Sequence, residues 1–332
     1  MKMDLSTTYL GLKLPHPLMP GASPLVDDLD TVRKLEDAGA AAITMHSVFE
    51  EQITREQVAT FVHTESHGQS FAEALTYFPS PEAFHLGPDE YLEHLRKVKQ
   101  AVSVPVVGSL NGYTVGGWLE YAKLIQDAGA DALEINMYDV IADLDVPGTA
   151  VETTVRDLVL DLTRALRIPI AVKLTPFYSA FGNFARALDR AGANGLVLFN
   201  RFYQPDIDIK LMATVPSIEL SHSNELPLRL RWLAILHGHV QASLALTGGV
   251  ETPADGIKGL LAGANVVQLV SAVLRHGPAY FTTMREGLAQ WMEWQRVESV
   301  DDMRGRASNL AIVDPGAFER ASYIKTLQSW GA

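Results

Sequence analysis

The chain has 332 residues, of which 47% are hydrophobic and 20% charged, and it contains no cysteine. This composition predicts a globular protein with a sizeable core, and the absence of cysteine excludes disulfides, thiolate metal sites and a cysteine nucleophile. The formal net charge of -12 argues against nucleic acid and anionic membranes as partners.

Neither an export signal nor a membrane span is visible in the chain. Residues 1–6 contain no apolar signal region, and no apolar run approaches the roughly 18 residues of a membrane span. We therefore expect a cytoplasmic protein whose partner is a small-molecule substrate.

Apolar, strand-like runs alternate with amphipathic, helix-like runs along the chain. The predicted strands cover residues 17–20, 41–45, 104–110, 132–137, 168–174, 195–199, 242–247 and 266–270. The predicted helices cover residues 24–38, 92–102, 115–128, 151–166, 180–191 and 227–237. Alternation of this kind predicts parallel strands connected by helices.

The tripeptide Ala-Gly-Ala occurs four times, each time between a predicted helix and an apolar strand. Its glycines are Gly39, Gly129, Gly192 and Gly263. Glycine suits a helix C-terminus because it accepts the left-handed conformation, after which the chain re-enters the core. The copies lie about 60 to 90 residues apart, roughly two βα units each. The repeat therefore predicts an α/β fold, a single (β/α)8 TIM barrel.

We expect the barrel to occupy residues 1–297 and residues 298–332 to form a C-terminal extension on or beside it. Two long segments, 49–88 after strand two and 200–225 after strand six, have no role in a barrel. Both leave the carboxyl ends of strands, where the active sites of barrels are built. They are predicted to be long loops over the site.

Two glycines after strand seven predict a phosphate site. Gly248 and Gly249 allow backbone N–H groups to converge, and Ser271 and Ala272 follow strand eight beside them. Backbone donors at this place in a barrel commonly hold a phosphate group. The alternative is a tight turn that needs two glycines for its conformation alone.

Polar side chains end or interrupt several strands: Ser109 on strand three, Asn136 on strand four, Lys173 on strand five and Asn200 after strand six. A lysine within an apolar strand costs several kcal/mol unless an anion or acceptor meets it. Lys173 is thus an ion-pair partner of Glu134, a Schiff-base amine, or a fixed cation beside an electron-rich ring.

Five motifs in a fixed order carry a resemblance to a known family. They are residues 14–23, Glu-Ile-Asn at 134–136, Val-Lys-Leu-Thr-Pro at 172–176, Thr-Gly-Gly-Val-Glu-Thr at 247–252, and Gly-Pro-Ala-Tyr-Phe at 277–281. In this order the chain resembles the class 1 dihydroorotate dehydrogenases from about residue 5 to about residue 297. These are (β/α)8 enzymes of pyrimidine biosynthesis that use FMN to oxidise a CH–CH bond.

The resemblance implies an FMN cofactor and gives the residues around it. Its phosphate is expected on Gly248, Gly249, Ser271 and Ala272. The flavin is expected against Ala22, Ser23 and Ser109, with Lys173 near its N1 edge, Asn136 at both flavin and substrate, and Asn200 at the substrate. The resemblance implies no metal.

The substrate pocket departs from the family pattern. A Thr-Lys-Ser pattern in strand two of the family provides a lysine, and Met45 is assigned to its position. Asp139 takes the place of the catalytic cysteine, Ile141 that of an asparagine, and His85 that of another. Asp139 is either a general base or a cap of the loop. His46 and His85 add imidazoles at the rim.

Three functions remain open: an FMN-dependent oxidoreductase with an altered substrate, an FMN-free aldolase that uses Lys173, and a flavin-binding protein without catalysis. We expect a homodimer, and an electron-transfer partner protein is compatible with the sequence. His63 and His67 are four residues apart, but they lack the glutamate of a zinc protease motif.

Overall fold

The computed structural model describes residues 3–49, 88–111, 115–137, 140–201, 205–215, 219–311 and 313. Eight parallel strands form its centre. In chain order, β1 to β8 are Leu18–Pro20, Ile43–Thr44, Val106–Asn111, Ala132–Asn136, Ile170–Leu174, Gly195–Leu198, Ser243–Thr247 and Val266–Leu269. These strands coincide with the eight predicted ones.

The sheet runs β1-β8-β7-β6-β5-β4-β3-β2, and its two ends meet. The backbone N–H of Ala41, just before β2, donates to the carbonyl oxygen of Leu18 in β1 at 2.9 Å. Helices connect the strands, as expected for parallel neighbours. The predicted (β/α)8 barrel is confirmed.

Ten α-helices lie in the part of the chain that the structure describes. From α1 to α10 they are Leu29–Asp37, Pro88–Ala101, Val115–Asp127, Gly148–Ala165, Phe181–Arg190, Leu226–Leu236, Pro253–Ala262, Ser271–His276, Tyr280–Gln295 and Val300–Met303. The four Ala-Gly-Ala glycines follow α1, α3, α5 and α7, and each has a positive φ between 93° and 123°. The repeat therefore marks helix ends, as predicted.

The first predicted helix is divided in two. A 3-10 turn spans Pro24–Val26, and α1 begins only at Leu29. The division arises at Asp28, whose carboxylate accepts a hydrogen bond from the Thr31 backbone at 2.9 Å and so caps α1. The break leaves Asp27 between the two pieces.

The hydrophobic core has two layers, because successive side chains along each strand point to opposite faces of the sheet. The larger cluster lies between the strands and the helices and includes Ile43 and Met45. The smaller cluster fills the barrel and includes Ala42 and Val107. An antiparallel pair, Thr7–Tyr9 and Leu12–Leu14, places Tyr9 in this inner cluster and closes the lower end of the barrel.

The long segment after β6 contains a second antiparallel pair, Asp206–Asp208 and Ala213–Val215, and then a 3-10 turn at Ser223–Glu225. The segment after β2 continues as Val48–Phe49, which pairs with β3, and residues 50–87 lie outside the described part. The predicted loop at 200–225 thus contains secondary structure of its own. The prediction of a long loop at 49–88 falls largely on residues outside the described part.

The chain beyond residue 297 continues into the fold. Val300 and Met303 are fully buried in the larger core, and the Val300 N–H donates to the Asp4 carbonyl at 3.0 Å. The division at residue 297 stays a prediction. Among the described helices, none has the length and apolar character needed to cross a bilayer.

Candidate functional site

A cavity of about 330 Å³ opens at the carboxyl ends of the strands. Its described lining comes from the segments that follow β1, β2, β6, β7 and β8 and from the last residues of β4 and β5. Neighbouring strands bring polar residues side by side there; the register pairs are Ser109 with Glu134, Asn136 with Lys173, and Thr247 with Gln268.

Lys173 lines this cavity and is paired inside the barrel. Its Nζ lies 3.2 Å from Oε1 of Glu134, whose other oxygen accepts a 2.7 Å hydrogen bond from Nε2 of Gln268. Lys173 and Glu134 are both buried. The ion pair holds the Lys173 amine in place, whereas a Schiff-base amine must be free to attack a carbonyl group. The arrangement favours a fixed cation.

Three buried polar atoms near the barrel mouth have no hydrogen-bond partner in the part of the chain that the structure describes. They are Oγ of Ser23, Oγ1 of Thr44 and Oε1 of Gln268. Ser23 and Gln268 line the cavity. An unsatisfied buried polar group costs about 1–3 kcal/mol. A polar ligand in the cavity would offset this cost.

The predicted phosphate turn has a geometry that only glycine tolerates. Gly248 and Gly249 have φ of +79° and +75°. A Cβ on Gly249 would lie 2.8 Å from the backbone nitrogen of Leu226, and one on Gly248 would lie 2.7 Å from Arg229 Nη2. The backbone conformation of the turn therefore accounts for both glycines. The same conformation is compatible with a phosphate site.

Ser221 was not predicted, and it lies at this turn. Its Oγ accepts a hydrogen bond from the Gly249 N–H at 3.1 Å and donates to Oγ of Ser271 at 2.9 Å. Arg275 donates to the backbone carbonyls of Leu220 and Ser221 at 3.0 and 2.9 Å, which fixes the segment. The Ser-His-Ser-Asn run at 221–224 was the available sequence signal.

A buried arginine supports the turn from behind. Nε of Arg229 donates to the Thr247 carbonyl at 2.7 Å, and Nη1 donates to the Glu225 carbonyl at 2.8 Å. Burial lowers the pKa of Arg229, and the Glu225 charge opposes that shift. Sequence reasoning missed Arg229, although an arginine within the apolar helix α6 is unusual.

The structure brings together the other predicted polar residues. Nδ2 of Asn200 donates to Oδ1 of Asn136 at 3.0 Å, and both line the cavity with Ala22. Ser109 is fully buried behind Ser47, and their hydroxyl oxygens are 2.7 Å apart. Ala272 is buried beside Ser271 at the start of α8.

Strand β2 requires a correction. Met45 is 1% exposed, belongs to the core that faces the helices, and is not among the described residues that line the cavity. The alternation that places Ala42 inside the barrel turns Met45 outward. His46, next to Ser47, lines the cavity instead. Of these two residues, His46 and not Met45 therefore faces the cavity.

The remaining predicted site residues lie largely beyond the described part. His85, Asp139, His63 and His67 are outside it. Ile141 is described and is 43% exposed. Within the described ranges, no group of three or more histidine, aspartate or glutamate side chains could hold a metal ion.

A closed parallel barrel with a polar cavity at the carboxyl ends of its strands defines a TIM-barrel protein with a top-face ligand site. The family model described as dihydroorotate dehydrogenase matches residues 4–292. The chain belongs to the dihydroorotate dehydrogenase family, whose members are oxidoreductases.

Similar proteins carry two kinds of name. The catalytic subunit of dihydroorotate dehydrogenase B (NAD(+)) from Thermoplasma volcanium is 27% identical, over 92% of this chain and 98% of the relative. The NAD-dependent dihydropyrimidine dehydrogenase subunit PreA of Escherichia coli is 26% identical, over 92% and 77%. The chloroplastic dihydropyrimidine dehydrogenase (NADP(+)) of Arabidopsis thaliana is 24% identical, over 92% and 77%.

Proposed function

We propose that this protein is an FMN-dependent oxidoreductase that oxidises a CH–CH bond of a dihydropyrimidine other than dihydroorotate. The observation that carries the proposal is that Oγ of Ser23 and Oε1 of Gln268, both buried, line the cavity with Gly248 and have no hydrogen-bond partner in the described part of the chain. A cavity with these features suits a ligand with a polar ring system at one end and an anionic group at the other.

The residues present fit FMN. The phosphate would be held by the backbone of Gly248 and Gly249 and by the start of α8 at Ser271 and Ala272. Ala22, Ser23 and Gln268 would contact the ring. When bound, FMN supplies a two-electron acceptor. The chain positions it and excludes water from it.

Lys173 supplies a fixed positive charge to this site. Glu134, which itself accepts a hydrogen bond from Gln268, holds the Lys173 side chain in one orientation. A preorganised cation acts most strongly where negative charge develops during a reaction. This argument supports the oxidoreductase over the aldolase, for which the paired ammonium is unsuited.

Differences at the substrate pocket support a changed substrate. In the segment where the family pattern has a lysine, His46 faces the cavity, and an imidazole is shorter than a lysine side chain and need not carry a charge. Ile141 replaces a carboxamide, and Asp139, if ionised, would repel a substrate carboxylate. Loss of hydrogen bonds to a buried carboxylate costs several kcal/mol, and hence orders of magnitude in kcat/KM.

The electron acceptor and the assembly belong to the same proposal. Two of the relatives are named as subunits, which supports an electron-transfer partner for this chain. The homodimer and the cytoplasmic location stay predictions.

An anaerobic screen of flavin bleaching tests the function. Purified yellow protein is mixed with dihydrouracil, dihydrothymine and dihydroorotate, and the flavin absorbance is followed. We expect bleaching by an uncharged dihydropyrimidine and slow or no bleaching by dihydroorotate. Rapid bleaching by dihydroorotate, at about 1 to 1000 per second, would restore the ordinary family activity. Flavin that no compound bleaches would leave a flavin-binding protein without this catalysis.

The aldolase alternative is tested on the same preparation. Borohydride is added with an aldehyde substrate panel, and the mass of the Lys173 peptide is measured. We expect no covalent adduct, because the Lys173 amine is held in the ion pair with Glu134. Colourless protein with a trapped Lys173 would support the aldolase instead.

A further inference from the structure

His46 lines the cavity, and the proposed function gives it no chemical step. Its Nδ1 lies 3.2 Å from Oδ1 of Asp27. An ionised carboxylate can only accept a hydrogen bond, so Nδ1 is the donor in this contact, and in the neutral form of the ring Nε2 carries a lone pair. Asp27 lies between the Pro24–Val26 turn and α1 and belongs to neither element, and from there its carboxylate contacts His46.

No other described lining residue can accept a proton in this way. The titratable lining residues in the described part are His46, Lys173 and Arg201. Lys173 is paired with Glu134, and an arginine keeps its proton under all ordinary conditions. A base with an orienting carboxylate, placed in a cavity, is the arrangement found in general acid–base catalysis.

Charged and titratable groups lie on several sides of His46. Asp27 contacts it directly. On the β3 side, Tyr91 of α2 lies behind Ser109 and exchanges hydrogen bonds with the Ser109 backbone at 2.9 and 3.1 Å. Lys173 and Arg201 are the other charged groups of the described lining.

We propose that His46, oriented by Asp27, is the acid–base residue of the reaction. The inference rests on the proposed function. The substrate loses a proton from one ring carbon to Nε2 of His46, so that a C–H bond breaks and an N–H bond forms. The neighbouring carbon gives its hydride, with the electron pair, to the flavin. A C=C bond forms; the substrate is oxidised by two electrons and the flavin is reduced.

The first arm of the test needs neither substrate nor flavin. Nitrogen-15 NMR of the histidine rings, assigned by comparison with His46→Gln, reports which nitrogen carries the proton. We expect the Nδ1–H tautomer for His46 in the unaltered protein and a mixture of tautomers in Asp27→Asn. An Nε2–H tautomer, or a spectrum that Asp27→Asn leaves unchanged, would overturn the inference.

The second arm measures anaerobic flavin bleaching by the active dihydropyrimidine over a range of pH. We expect His46→Gln to slow bleaching about 100-fold or more and to remove the rise of the rate with pH. Asp27→Asn should fall between the two. His239→Gln is the control, because His239 is exposed and is absent from the described lining.

The outcomes separate the two proposals. A His46→Gln protein that bleaches at the rate and pH dependence of the unaltered protein overturns the inference and leaves the proposed function standing. Loss of activity in Asp139→Asn together with full activity in His46→Gln would assign the base to Asp139. If no dihydropyrimidine bleaches the unaltered protein, the proposed function is wrong, and the tautomer measurement alone decides whether His46 is poised as a base.

Discussion

The charge pair inside the barrel couples the stability of the protein to its chemistry. Glu134 is 1% exposed and is held by Lys173 and Gln268. A buried carboxylate that loses its cation keeps the desolvation cost without the compensating attraction. Any change at Lys173 therefore acts on folding as well as on the ligand site, and an experiment must separate the two effects.

We expect Lys173→Met alone to lower the free energy of unfolding by about 3–5 kcal/mol, since Glu134 is left unpaired. Urea denaturation measures this loss. The double variant Lys173→Met with Glu134→Gln should regain most of it. Relative to Glu134→Gln, the double variant should have a flavin midpoint potential lower by on the order of 30 mV, which is about 1.4 kcal/mol for two electrons, because only the ammonium differs between these two proteins. An unchanged potential in flavin-replete protein would contradict the role of Lys173 as a cation at the flavin.

Strand β2 offers a matched pair of substitutions. Met45→Lys places an ammonium in the core that faces the helices, and should lower the free energy of unfolding by about 3 kcal/mol or more. His46→Lys places the same group in the cavity and should change stability by less than about 1 kcal/mol. Urea denaturation of both variants decides the orientation. Equal losses in the free energy of unfolding would contradict this orientation. A larger loss for His46→Lys would show that the segment faces the other way.

At the scale of elements, the ligand site is assembled from loops that are distant in the sequence. The turn at Gly248 and Gly249 follows β7, Ser271 begins α8, and Ser221 comes from the segment after β6. Arg275 and Glu251, 2.9 Å apart, hold that segment from the outside. The proposed phosphate site therefore draws on residues of three βα units.

The proposed phosphate site can be tested by substitutions at Ser221, which leave the positive φ of Gly248 and Gly249 untouched. Ser221→Asp adds a negative charge beside the Gly249 N–H and should give folded, colourless protein, because like charges repel at close range. Ser221→Ala removes one hydroxyl group and should keep its flavin. The flavin-to-protein absorbance ratio and the thermal midpoint are measured for both. Full flavin content in Ser221→Asp would show that the phosphate binds elsewhere.

At the scale of the whole molecule, a buried histidine contributes to the dependence of stability on acid. His16 precedes β1, and its Nδ1 accepts a hydrogen bond from the Leu18 N–H at 3.3 Å. Burial, with the nearby Arg285 charge, lowers the pKa of His16 to about 4. The unfolded chain, with a histidine pKa of about 6.5, binds a proton that the folded protein does not bind between these values.

We therefore expect stability to be complete above about pH 6.5 and to fall by about 3 kcal/mol as the pH decreases to 4. Urea denaturation across this range measures the fall. His16→Gln should flatten the curve between these limits, whereas His239→Gln, at an exposed position, should not. A curve that His16→Gln leaves equally steep would assign the acid sensitivity to other groups.

The sequence predicted the barrel well because its signals are local. Helix ends at Gly39 and Gly263 and buried strands can be recognised from a few neighbouring residues. The orientation of β2 could not be read in this way, since the strand has only two residues, Ile43–Thr44, and polar residues on both sides of Met45 obscure the alternation. Ser221 was missed because only the folded chain brings it to Gly249, 28 residues away in sequence.

The pairing of β1 with β8 has a consequence for synthesis. Leu18 lies opposite Val267, so one edge of the first strand has no partner until nearly the whole chain has left the ribosome. At typical rates of elongation this interval is about 10 to 50 seconds. During that time an apolar strand edge is open to other chains. Closure of the ring, rather than formation of any helix, is then the step at which productive folding competes with aggregation in the cell.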